Sequence, residues 1–144
     1  MARESQLLRY VVLRHEGIPQ PHFDLMCEHK PGSKLLCWRF PVWPVTKATK
    51  VEELRLHRRE YLDYEGPVSG DRGHVRRVEA GACLVTCSGD NVWLLTMVNY
   101  PARPTLMIWP RDSERVAIWM GDKMEISDAS ADPNRPRSPE GFGP

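Results

Sequence analysis

The sequence has no charge excess. Its 20 Lys and Arg residues nearly balance 19 Asp and Glu, for a formal net charge of +1. A strongly basic nucleic-acid coat protein and an acidic disordered chaperone are both excluded. Long apolar runs are also missing. The longest charge-free stretch, residues 91–102, is about 12 residues and contains Pro101, whereas a membrane-spanning helix needs roughly 20. The opening MARESQLLRY has no apolar signal core, so a cytoplasmic protein with no membrane partner is expected. There is no internal repeat and no nucleotide-binding glycine loop. No CxxC pair occurs among Cys27, Cys37, Cys83 and Cys87. Reduced, buried small hydrophobes are therefore expected, with a zinc site as the lesser alternative.

What is present suits one domain. The 144 residues support a single packed core but not two ordinary ones. Proline is abundant, at 13 residues, and tryptophan occurs five times. With few long helical patterns, this composition points to strands and turns.

Residues 7–13 are apolar and β-branched and read as a strand. After the EGIPQP loop, the segment HFDLMCE alternates. His22, Asp24, Met26 and Glu28 fall on one face, and Phe23, Leu25 and Cys27 on the other. A strand is expected over residues 34–40, and FPVWP is too proline-rich for a central strand. Residues 47–59 are the most basic stretch. Val51, Leu54 and Arg55 suit one helical face, but no period is sustained, so helix and strand both stay open. Residues 61–65 form a short segment closed by Gly66 and Pro67. Further strands are expected over 74–79, 82–87, 92–98, 105–109 and 115–120, with a hairpin turn at Ser88, Gly89, Asp90 and Asn91. Such spacing argues for a sandwich or barrel. The domain is placed at 1–126. Residues 127–144, SDASADPNRPRSPEGFGP, cannot bury a core and read as a disordered tail.

Two groups carry potential chemistry. His22 and Asp24 share a strand face, and the loop lets His15 fold back beside them. Two imidazoles and one carboxylate suit a transition metal such as Mn²⁺, Fe²⁺ or Zn²⁺; the alternative is an ordinary polar strand face. His57 and Tyr61, four apart in LHRREYLDYEG, offer an imidazole and a phenol among Arg55, Arg58 and Arg59. They suit proton donation or phosphate contact, or else form a solvated basic face. The basic stretch 47–59 and Arg72, Arg76 and Arg77 are the expected nucleic-acid contacts.

YVVLRHEGIPQPHFDLMCEH, then CWRFP, then HRREYLDYEGPVSGDRG occur in that order. Together they resemble the 3′-phosphoesterase domain of bacterial DNA ligase D, a family that includes free-standing single-domain proteins. The motifs span residues 9–81; residues 82–126 offer only a compatible strand pattern. The resemblance implies an all-β fold, a compact barrel of short, mainly antiparallel strands with little helix. It implies Mn²⁺-dependent removal of a 3′-ribonucleoside and then a 3′-phosphate from DNA or RNA–DNA ends in repair. By position, His15, His22 and Asp24 would bind the metal, and His57 and Tyr61 would contact the scissile phosphate, His57 being the favoured acid. The implied partners are such 3′ ends and a ligase or polymerase of end joining; a monomer is expected.

The likeness has departures. Met26 stands where the family has a phosphate-gripping arginine, Val42 where it has a lysine, and Thr49 near a basic position. The loop from His15 to His22 is one residue longer. Arg14, Arg39, Lys50 and Arg72 are the substitutes within reach of a phosphate. Restoring arginine at Met26 is expected to raise turnover. The alternative to an enzyme is a weak or inactive module that binds phosphate or nucleic-acid ends on the same barrel. A third reading is another metal-dependent hydrolase or an oxygenase.

Overall fold

The computed structural model describes residues 6–99 and 104–120. Strands β1 (Leu7–Glu16), β2 (His22–Glu28), β3 (Leu35–Phe40) and β4 (Thr49–His57) come first. A 3-10 turn (Arg59–Leu62) follows. Then come β5 (Gly66–Pro67), β6 (His74–Cys87), β7 (Trp93–Met97), β8 (Thr105–Arg111) and β9 (Glu114–Trp119). All pairings are antiparallel. The order β1-β2-β3-β4-β9-β8-β7-β6 closes through β6 onto β1, and two-residue β5 adds to β6. The protein is thus an eight-stranded closed barrel, as the motifs imply. Closure pairs β1 with β6, the two strands that an open sheet would leave at its edges. No helix among the described residues is long and apolar enough to cross a membrane. The proposed tail and residues 121–126 lie outside the described residues.

Pairing settles what periodicity left open. Residues 49–57 form a strand, held by β9 at Thr49, Lys50 and Val51 and by β3 from Glu52 to His57. The two strands expected at 74–79 and 82–87 are one 14-residue strand. The hairpin turn is present, with Asn91 at φ 65 and its N–H donating to the Ser88 carbonyl at 3.1 Å.

The strand alternation builds two apolar clusters. Inside the barrel, Tyr10, Leu25, Trp38 and Phe40 pack with Leu95, Leu106 and Ile108. Outside it, Val11, Leu13, Met26, Leu35, Cys37, Leu62 and Val75 form a second cluster against which Leu54, Tyr61 and Val68 rest. So β2 is buried on both faces. The outward row His22, Asp24, Met26 and Glu28, polar by sequence, lies under cover.

A bulge on β6 makes this second cluster possible. Val12 pairs with Glu79 but Leu13 pairs with Arg77, so Val78 is extra. One extra residue reverses which side chains face out. Val75 therefore joins the outer cluster, whereas Cys83 on the same strand faces the barrel interior.

The cysteines are free thiols. Cys27, Cys37 and Cys83 are buried as expected, whereas Cys87, at the end of β6, is exposed. A hydrogen bond with Cys83, and then burial, push the Cys27 thiol well above its ordinary range. Burial likewise raises the Cys37 thiol. Cys27 and Cys83 lie inside the barrel and Cys37 outside it. Among the described residues, no cysteine joins a group arranged to hold a metal, which removes the zinc alternative there.

Candidate metal centre

The β1–β2 register sets His15 directly opposite His22, and Asp24 follows two residues along the same face. The two imidazoles meet edge to face, with ring centroids 4.9 Å apart. His22 Nε2 lies 3.5 Å from Asp24 Oδ2, and His15 Nδ1 lies 4.0 Å from the same oxygen. One ligand atom from each residue falls within 4.8 Å of the others. Atoms sharing an ion at about 2.1 Å stand roughly 3.0–3.5 Å apart, so less than about 2 Å of closure separates this arrangement from a coordinated one. All three side chains are largely buried.

Backbone carbonyls orient both rings. His15 Nε2 donates to the Arg72 carbonyl at 2.7 Å, and His22 Nδ1 donates to the Gln20 carbonyl at 2.9 Å. A carbonyl only accepts, so each ring holds its proton there. In the neutral imidazole the other nitrogen is a lone pair, and in each ring it faces Asp24. His22 Nε2 and Asp24 Oδ1 are buried without a hydrogen-bond partner. Buried polar atoms rarely stay unpaired. With both rings neutral the three acceptors cannot satisfy one another, whereas a cation between them, a metal ion or a proton, can. Two nitrogens and one oxygen suit a mid-row transition metal, Mn²⁺ among them.

Gly73 brings the Arg72 carbonyl into place. Its φ is +75, and a Cβ there would lie 2.1 Å from the Glu16 carbonyl oxygen. Only glycine lets this turn press against the end of β1. The two carbonyl anchors carry no side-chain signal in the sequence.

His57 and Tyr61 pair with each other, ring centroids 6.0 Å apart, but do not join the metal group. His57 sits opposite Leu35 on β3, whereas Asp24 sits opposite Arg39. Four residues along a strand is about 13 Å. His57 Nδ1 donates to the Arg55 carbonyl at 2.9 Å, which leaves Nε2 as the ring nitrogen not engaged by that bond. Met26 follows the alternation onto this face but is only 2% exposed, sealed in the outer cluster between the two groups.

The four substitute cations fare differently. Arg14 donates to Glu16 at 2.9 Å and lies over the Phe23 ring. Arg72 folds its guanidinium back onto the Ser69 carbonyl and hydroxyl. Lys50 pairs with Glu114 at 3.3 Å. Arg39 alone of the four stands beside the metal group, its Nε 3.7 Å from Asp24 Oδ1. An open cleft of about 1240 Å³ runs from His22 and Arg39 past Lys50, Glu52 and Arg115. It lies where β4 runs past the β8–β9 turn, beyond its last pairing with β9.

Glu28, absent from the sequence-predicted site, anchors the cover over this face. Burial pushes its carboxyl up. The Arg9 N–H, the Arg59 guanidinium and the Gly32 N–H outweigh this and hold it below the usual range. Arg59 donates to it at 2.6 Å, tying the 3-10 turn to β2.

No protein-family model matches the chain and no curated protein matches it significantly, so the family likeness rests on the motifs alone.

Proposed function

We propose that the protein is a metal-dependent phosphoesterase that trims nucleic-acid 3′ ends. It removes a 3′-phosphate or 3′-ribonucleoside in repair, with Mn²⁺ as its metal. The observation that carries this reading is the convergence of the His15 Nδ1, His22 Nε2 and Asp24 lone pairs, each imidazole locked by a backbone carbonyl. Bound there, a divalent cation supplies Lewis acidity to a phosphate oxygen and lowers the pKa of a water. The chain's own contribution is to orient those ligands and to shield them on a face already dry. The cleft beside them admits a strand end. His57 and Tyr61, about 13 Å along the face from the metal group, meet another part of the nucleic-acid strand and hold it by hydrogen bonds from the imidazole and the phenol. The near-neutral charge fits local contact with an end rather than grip along a duplex. Reduced thiols fit a cytoplasmic protein that works beside a ligase or polymerase.

A second reading has one observation in its favour. His57 and Tyr61 stand apart from the metal group, with apolar Met26 between, as suits a module that binds a phosphorylated end without turnover. A 5′-labelled primer-template ending in a 3′-phosphate, and another ending in one ribonucleotide, separate the two. Wild type with Mn²⁺ is expected to yield a 3′-OH, and both His22→Ala and His57→Ala to abolish it. Mn²⁺ bound by wild type without conversion would refute the enzyme and leave the binding module.

A further inference from the structure

We infer that Arg39 is the phosphate-binding arm of this site, and that the ligand it takes is a single terminal phosphate dianion. The inference rests on the metal centre proposed above and goes on to name what the site grips. The register places Arg39 between Asp24 on β2 and Glu52 on β4, all three on the outward face. Its Nε lies buried without a hydrogen-bond partner. Its ion pairs, 3.7 Å to Asp24 and 3.8 Å to Glu52, are both too long to be hydrogen bonds. The guanidinium is therefore held by charge and left unsaturated, while its side chain is 40% exposed at the mouth of the cleft.

A cation on His15, His22 and Asp24 neutralises the carboxylate that now draws Arg39 inward. The fork, no longer drawn to Asp24, would then be free to turn to an anion beside the cation. A guanidinium donates two parallel N–H bonds to two phosphate oxygens. Metal and fork together favour a dianion over the monoanion of a diester. Farther along the cleft three carboxylates, Glu52, Glu53 and Glu114, stand among three cations, Lys50, Arg55 and Arg115. Lys50 is paired with Glu114 and Arg115 with Glu53, and Glu52 lines the same wall. A second phosphate would meet carboxylates as readily as cations, so recognition stops at one.

The test uses the full chain. Mn²⁺ affinity is read from the electron paramagnetic resonance of free Mn²⁺. Affinities for inorganic phosphate and for dimethyl phosphate are read from ³¹P relaxation on the Mn²⁺-loaded protein. Wild type is expected to bind phosphate roughly tenfold or more tighter than dimethyl phosphate. Arg39→Gln is expected to lose roughly tenfold or more in phosphate affinity with its Mn²⁺ affinity unchanged, and Arg39→Lys to fall between. Phosphate affinity indifferent to Arg39→Gln overturns the inference alone. So does a loss of Mn²⁺ affinity equal to the loss of phosphate affinity, which would make Arg39 a mere counter-ion of Asp24. Wild type that takes up no Mn²⁺ overturns the metal centre and the inference together.

Discussion

Met26→Arg sets the sequence and the structure against each other. By the motif, arginine at this position restores a phosphate contact and raises turnover. By the structure, it places a guanidinium where Met26 is 2% exposed. Its strand neighbours are Val11 on one side and Cys37 on the other, and Leu62 and Tyr61 cover it from the 3-10 turn. None of these supplies a carboxylate. Asp24 and Glu28, two residues along the face on either side, already face Arg39 and Arg59. A buried charge left unpaired costs about 3–5 kcal/mol. At about 4 °C per kcal/mol for a domain of this size, the thermal midpoint should drop by about 12–20 °C. Met26→Leu conserves volume and should cost less than about 1.5 kcal/mol, which separates charge from shape. Circular-dichroism melts of both variants, with 3′-phosphate release measured beside them, decide the matter. A Met26→Arg protein that melts within a few degrees of wild type and turns over faster would refute the reasoning. It would show the side chain threading out of the cluster to the site.

Two further outcomes follow from the supports of the site. Gly73→Ala strains a positive φ and drives a methyl group into the Glu16 carbonyl; losing the carbonyl anchor on His15 should weaken Mn²⁺ binding by about 10- to 100-fold, and calorimetry showing affinity within twofold of wild type would exclude that role. Glu28 favours its anion in the folded protein, so its contribution is complete above the ordinary glutamate value of about 4.3 and is lost as pH falls through the lower folded value. Glu28→Gln should therefore cost about 2 kcal/mol in urea unfolding at pH 7, with the gap shrinking at pH 3; a gap equal at both values would show that the charge is not what matters.

The legible parts of the fold are those set by local pattern. HFDLMCE alternates so cleanly that β2 has the bounds its sequence suggests. The opposition of His15 and His22 follows from a hairpin whose loop begins just after His15. What stayed hidden depends on register between strands distant in sequence. Residues 49–57 have no period of their own and become a strand because β3 and β9 pair with them. Gly81 looks like a break between two strands. Instead it sits inside β6, where a Cβ would lie 2.2 Å from Asn99 Oδ1, and Asn99 caps the Ala82 N–H at 2.6 Å. The outer cluster draws only one or two buried apolar residues from each of β1, β2, β3, β6 and the 3-10 turn, and none of those segments announces a second buried face. For the same reason sequence offered four cations and could not choose. Arg39 stands out only once β3 is laid between Asp24 and Glu52.

The metal group is also where the barrel closes. His15 lies on β1, which pairs with β2 on one side and with β6 on the other. Its ring is fixed by a carbonyl 57 residues away in sequence, in the turn that leads into β6. The bulge at Val78 decides whether that turn arrives. Without the extra residue, Val75 would face the barrel interior and the approach of residues 72–75 to His15 would change sides. Folding therefore orients the ligands before any cation arrives, and carries the cost of burying His22 Nε2 and Asp24 Oδ1 unpaired. A cation that binds only the closed barrel offsets that cost and stabilises the closure by its own binding free energy. With the proposed metal, affinity and barrel closure would be one equilibrium read at two places, and a change that opens the β1–β6 seam would weaken the metal even where it touches none of the three candidate ligands.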